Sequence, residues 1–138
     1  MRLKLKHKAG KWSKAERKEI LHAVTWGADA IGLAEEDIRL NVVLNKDSTV
    51  FGDAYYDEVE TCTIRISSEY KKHNRALKTV FHELWHIHQY LREGLDLGDK
   101  AYFKGKMYDT DYWDAPWEVA ARKQEAVLLS QYYDFIDR

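Results

Sequence analysis

The hydrophobic positions of this chain fall into two rhythms. Ile20, Leu21, Val24, Ala28 and Ile31 recur every three or four residues, the spacing of a helix with one apolar face. Ser13 and Glu16 stand three apart just before that run, as a capping box requires, so a first helix is predicted over 14–31, with Gly32 as its stop. Ile38, Leu40, Val42 and Leu44 then alternate with Arg39, Asn41, Val43 and Asn45, the period of a half-buried strand. Residues 45–48 supply turn chemistry, and residues 50–56 read as a second strand, closed by a turn at Asp57 and Glu58. Cys62, Ile64 and Ile66 alternate with Thr61, Thr63 and Arg65 in a third, which puts Cys62 on the core side as a small apolar residue. The helical rhythm returns over 77–91 and again over 116–136, where Pro116 suits a first helical position.

Between the last two helices lies a polar, aromatic connection from Gly94 to Asp114, unusually long for a compact domain. The expected class is α+β: an N-terminal helix, a small twisted sheet of three or four strands, and two further helices. With 138 residues the chain fits a single domain, 1–138, able to fold without disulfides, and one cysteine permits no intrachain bridge. No apolar run approaches the ~20 residues that cross a bilayer, and Leu3 and Leu5 alternate with lysines where a signal peptide needs an apolar block. The expectation is a soluble, cytoplasmic protein with no membrane partner.

Charge changes the picture only at the start. The chain carries a net −1, yet Arg2, Lys4, Lys6, Lys8, Lys11, Lys14, Arg17 and Lys18 crowd the beginning, with Glu16 the single acid among them. Residues 1–12 read as a solvated basic arm. Such an arm can attract nucleic acid or an anionic surface, although no DNA-reading motif accompanies it.

The candidate chemistry lies at His82-Glu83-Leu84-Trp85-His86. Positions four apart share one helix face, so both imidazoles can bind one zinc ion while Glu83 stands close enough to act as general base. Setting His82 at 0° and advancing 100° per residue places Leu77, Val80, Leu84, Ile87 and Leu91 at about 140–220° and His86 at about 40°. The histidines therefore project away from the apolar stripe. His88, at about 240°, borders the stripe and reads as a core or interface histidine.

A catalytic zinc takes three protein ligands and keeps one position open. The best-placed third ligand is Glu118, in the first turn of the last helix, where a glutamate also suits the helix dipole. Glu118, Ala121, Glu125, Leu128, Leu129, Tyr132 and Ile136 form one stripe, so two carboxylates share an otherwise buried side and need a partner or a metal. Glu125 suits orienting a ligand, and is the fallback third ligand.

The stretch from Thr79 to Gln89, with Pro116-Trp117-Glu118-Val119-Ala120-Ala121, resembles the gluzincin-type zinc metallopeptidases, nearest their minimal single-domain versions and more distantly the ImmA/IrrE-type peptidases. The resemblance implies a zincin-like fold, a zinc ion on His82, His86 and Glu118, Glu83 as catalytic base, and a peptide or protein substrate hydrolysed at its peptide bonds. It further implies an edge strand beside the cleft that pairs with extended peptide, expected near residues 61–67, and Tyr108 or Tyr112 as candidates to stabilise an oxyanion. Ala120 stands where several relatives carry a second glutamate, Arg122 where some carry an acid, and no third histidine follows in the metzincin pattern. The alternative is a non-proteolytic zinc-binding regulatory or interaction protein on the same fold.

Overall fold

In a computed structural model, described for residues 1–7, 12–45, 52–57, 60–67, 75–109 and 114–137, the chain is a mixed α+β structure. It begins with strand β1 (Arg2–His7), followed by helix α1 (Lys14–Ala30). After a short 3₁₀ turn at Leu33–Glu35 come β2 (Arg39–Asn45), β3 (Gly52–Asp57) and β4 (Thr61–Ser67). Helix α2 (Arg75–Arg92) leads into three short strands, β5 (Asp96–Leu97), β6 (Ala101–Phe103) and β7 (Lys106–Tyr108), and the chain closes with α3 (Pro116–Ile136).

For residues 2–7 the first strand corrects the expectation of a solvated arm, while residues 8–11 of that arm lie outside the described residues. β1 pairs parallel with β2, placing Leu3 beside Leu40 and Leu5 beside Val42, and Leu3 and Leu5 pack on the core. An edge strand needs one paired side and one buried face, so its cations cost little when they project from the other face. Parallel neighbours require a crossover, which α1 provides. Ser13 caps α1 as expected: its hydroxyl accepts from the Glu16 N–H at 3.0 Å, and the Glu16 carboxylate accepts from the Ser13 N–H at 2.8 Å. Gly32 ends the segment in the left-handed region at φ 81°.

The sheet order is β1-β2-β4-β3, with β4 parallel to β2 and antiparallel to β3. β4, expected as the open edge, is thus paired on both sides, and the edge on that side is β3. The predicted turn at 46–48, residues 50 and 51 of the second strand, and Glu58 lie outside the described residues. One face of the sheet carries Leu40, Val42, Leu44, Cys62, Ile64 and Ile66, all buried against α1 and α2. Burying the five aliphatic side chains among these contributes roughly 1.5–3 kcal/mol each.

Close approach fixes how α2 sits. A Cβ on Gly27 would stand 2.8 Å from a Leu84 methyl, so α1 lies tight against α2. A Cβ on Gly52 would meet the Arg65 carbonyl oxygen and the Thr79 methyl, each at 2.5 Å, so β3 runs directly over α2 one turn before His82.

The 94–114 connection contains a three-stranded antiparallel meander, β5-β6-β7, that the sequence pattern did not reveal. Strands of two or three residues are too short to show a period. Lys104 (φ 53°) and Gly105 (φ 78°) turn β6 into β7 with both angles positive, as a two-residue type I′ hairpin demands. Beneath the meander, Leu95, Phe103, Ala115 and Trp117 form a second small core. Ile136, expected on the buried stripe of α3, is 45% exposed because the stripe runs past the edge of the core at the helix end. Among the described residues no helix is long and apolar enough to cross a membrane.

Candidate metal centre

α2 and α3 pack side by side, and their facing surfaces build the site. Two turns of α2 present His82, Glu83, His86 and Gln89, while the first turn of α3 presents Glu118. Pro116 starts α3 two residues earlier, with Ala115 at the cap offering no side-chain hydrogen bond. The site is less open than the helical wheel suggested. His86 is 7% exposed, Glu83 4% and Glu118 2%, because α3 covers the α2 face that the wheel left to solvent.

The structure brings His82, His86 and Glu118 together as a group able to hold a metal ion, with one ligand atom from each within 4.8 Å of the others. The two Nε2 atoms are 3.2 Å apart, and Glu118 Oε1 lies 3.0 Å from each. Glu118 Oε2 is 2.9 Å from His86 Nε2. Three ligand atoms on a tetrahedral zinc ion stand about 3.3 Å from one another, close to this spacing.

Hydrogen bonding around the group decides where its lone pairs point. Gln89, fully buried, donates its Nε2 to the Trp117 carbonyl at 3.0 Å, which turns its Oε1 towards His86 Nδ1 at 2.7 Å. That oxygen only accepts, so Nδ1 carries the proton and Nε2 of the neutral ring offers its lone pair. His82 behaves alike: Nδ1 faces Glu125 Oε1 at 3.3 Å, leaving Nε2 directed at Glu118. Two imidazole lone pairs and a carboxylate thus converge. They repel one another unless a cation lies among them.

The ionisable groups respond to that crowding. Burial works against a charge on His82, but Glu118, Glu125 and Glu83 outweigh it and lift the imidazole to about 10. For His86 burial is likewise outweighed, by Glu118 and Glu83, and the shift is upward. Burial also raises Glu118, yet the hydrogen bonds to both histidines bring it down to about 2. Glu83 is pushed up to about 7, chiefly by burial, with both imidazoles pulling the other way. The crevice draws positive charge, which protons supply on the imidazoles and a metal ion can supply in their place.

Glu83 lies beside the group, its Oε1 4.0 Å from His82 Nε2, while its Oε2 is buried with no hydrogen-bond partner among the described residues. Glu125 stands on the far ring nitrogen of His82, outside the three-residue group. His88 stacks on Trp85 at 4.3 Å between ring centroids and faces Glu93 at 3.6 Å, away from the group. Tyr108 packs edge-on against Trp117 at 5.8 Å, and Tyr112 lies outside the described residues.

Two residues near the site were not singled out from the pattern. Gln89 ties the ligand-bearing helices together, and its position three after His86 on one face was the available signal. Tyr90 is pushed up to about 12 by burial and then by Glu83, Glu118 and Asp53, and its hydroxyl reaches the Ala54 carbonyl on β3 at 3.5 Å. No family model matches the chain, and no curated protein and no solved structure is significantly similar to it.

Proposed function

We propose that the chain is a zinc-dependent metallopeptidase of the gluzincin type, on a zincin-like fold. His82, His86 and Glu118 hold the ion and Glu83 is the general base. The donor set favours zinc among divalent ions: two imidazole nitrogens and one carboxylate are a known catalytic zinc combination. When bound, zinc supplies Lewis acidity, acidifying water and polarising a carbonyl group.

The observation that carries this reading is Glu83. A purely structural metal site has no use for a second carboxylate that is not a ligand, yet Glu83 is buried beside the ligands with Oε2 unpartnered. Burying such an oxygen without a hydrogen bond is costly, which points to a role in holding water and taking its proton at Oε2. The same carboxyl can then return the proton to a departing amine. Gln89 and Glu125 keep the two imidazoles in the orientation that this chemistry needs. The antiparallel edge strand β3, held over α2 at Gly52, is the backbone available to an extended peptide.

The test is the Glu83→Gln variant, assayed for zinc content and for cleavage of a peptide library. The expected outcome is retained zinc with hydrolysis reduced by roughly 10²–10⁴-fold. Zinc-loaded wild-type protein that cleaves nothing, with Glu83→Gln preserving biological activity, would favour the non-proteolytic zinc-binding alternative.

A further inference from the structure

The face of the four-stranded sheet turned away from the helices is chemically unlike the rest of the molecule. Because Leu3, Leu5, Leu40, Val42, Cys62 and Ile64 point into the core, the intervening residues project outward. In register across the strands, Arg2 lies beside Arg39, Thr61 and then Asp57, and Lys4 beside Asn41, Thr63 and Tyr55. Lys6 lies beside Val43, Arg65 and Asp53. Arg2, Lys4, Lys6, Arg39, Arg65 and Tyr55 are all exposed.

These cations are set against one another. Neighbouring strands are about 4.8 Å apart, so Arg2 and Arg39 are held side by side, a like-charge pairing that weakens a sheet. Arg65 is paired with Asp53 and lies 5.5 Å from the Tyr55 ring centroid. Among the described residues, no carboxylate forms an ion pair with Arg2, Lys4, Lys6 or Arg39. Five cations (Arg2, Lys4, Lys6, Arg39 and Arg65) share this face with two carboxylates, Asp53 and Asp57, a positive surplus in a chain of net charge −1. Along β1 the side chains of Arg2, Lys4 and Lys6 recur about every 7 Å, forming a line of point charges.

We infer that this face binds single-stranded nucleic acid. The cations of β1 and β2 take the phosphates, the part-exposed Asn41 offers a polar contact, and Tyr55, exposed at the other side of the face, stacks on a base. A basic track beside an exposed ring is the general means of holding a single strand without reading its sequence. An anionic membrane is the weaker match, since among the described residues the face offers only Val43 and Tyr55 as apolar surface. The metal-binding group lies on the opposite side of the sheet, between α2 and α3, so both can be occupied together.

Fluorescence anisotropy with a labelled oligothymidine tests this on the full chain. Four phosphate contacts predict a slope of log affinity against log salt near −3, or about 50-fold weaker binding at 200 mM than at 50 mM salt. Lys4→Gln/Lys6→Gln should halve the slope, and Arg39→Gln, on a different strand, should lower it by about 0.7. Tyr55→Ala should weaken binding about tenfold or more with the slope unchanged. Unchanged far-ultraviolet circular dichroism and zinc content establish that these variants fold. No binding at low salt, slopes indifferent to these substitutions, affinity unaltered by Tyr55→Ala, or tighter binding to phosphatidylserine vesicles or to duplex DNA would each overturn the inference.

Discussion

Replacing Gln89 with leucine keeps roughly the same side-chain volume and removes both hydrogen bonds of a fully buried amide. The His86 Nδ1–H loses its acceptor at 2.7 Å, and the Trp117 carbonyl loses its donor at 3.0 Å. Each group, left buried without a partner, costs about 1–3 kcal/mol, so Gln89→Leu should lower folding stability by about 2–6 kcal/mol in excess chelator. The His86 ring is also freed to rotate or to move its proton to Nε2, where the lone pair facing Glu118 is lost. Outer hydrogen-bond partners of metal-bound histidines are worth about 10–100-fold in affinity, and zinc binding should weaken by that factor. Gln89→Glu separates the two effects. It retains an acceptor for Nδ1 but offers no donor to Trp117, so affinity should survive while stability falls. Competition against a fluorescent zinc chelator measures the first quantity and urea denaturation the second. Zinc affinity within about twofold of wild type in Gln89→Leu would refute the idea that this amide sets the orientation of His86.

Other substitutions sort the remaining roles. Glu118→Ala should abolish stoichiometric zinc by mass spectrometry, whereas Glu125→Ala, which removes only the partner of His82 Nδ1, should weaken affinity about tenfold. Gly52→Ala forces a methyl against the Arg65 carbonyl and the Thr79 side chain, and should cost about 1–3 kcal/mol in urea denaturation. Burial, with Asp57 adding to it, pushes the Cys62 thiol from 9.0 to about 12. The unfolded chain then releases this proton above pH 9 while the folded chain keeps it. The thiol's contribution to stability is therefore intact below pH 9 and falls as pH rises towards 12. Denaturation midpoints compared between wild type and Cys62→Ala across that window should converge as pH rises, and folded wild type should resist thiol reagents at pH 8.

The local pattern was enough for the elements with long, regular rhythms. Helix α3 begins and ends at the residues expected, the Ser13–Glu16 capping box forms, and Cys62 lies in the core, because each depends on neighbours within a few positions in the chain. His82 and His86 could be paired for the same reason, since a helix places residues four apart on one face. Long-range pairing was out of reach. Whether Leu3 and Leu5 belong to a tail or a strand depends on β2, more than thirty residues away, offering a free edge. That β4 is interior and β3 the edge follows from which strands compete for partners, a choice that alternation alone does not encode. Glu118 and Glu125 shared a stripe in the pattern and differed only once α3 was laid against α2, which brought one to Nε2 of His82 and the other to Nδ1. The periods of helix and strand are local geometry, whereas the convergence of side chains from separate helices is a property of packing.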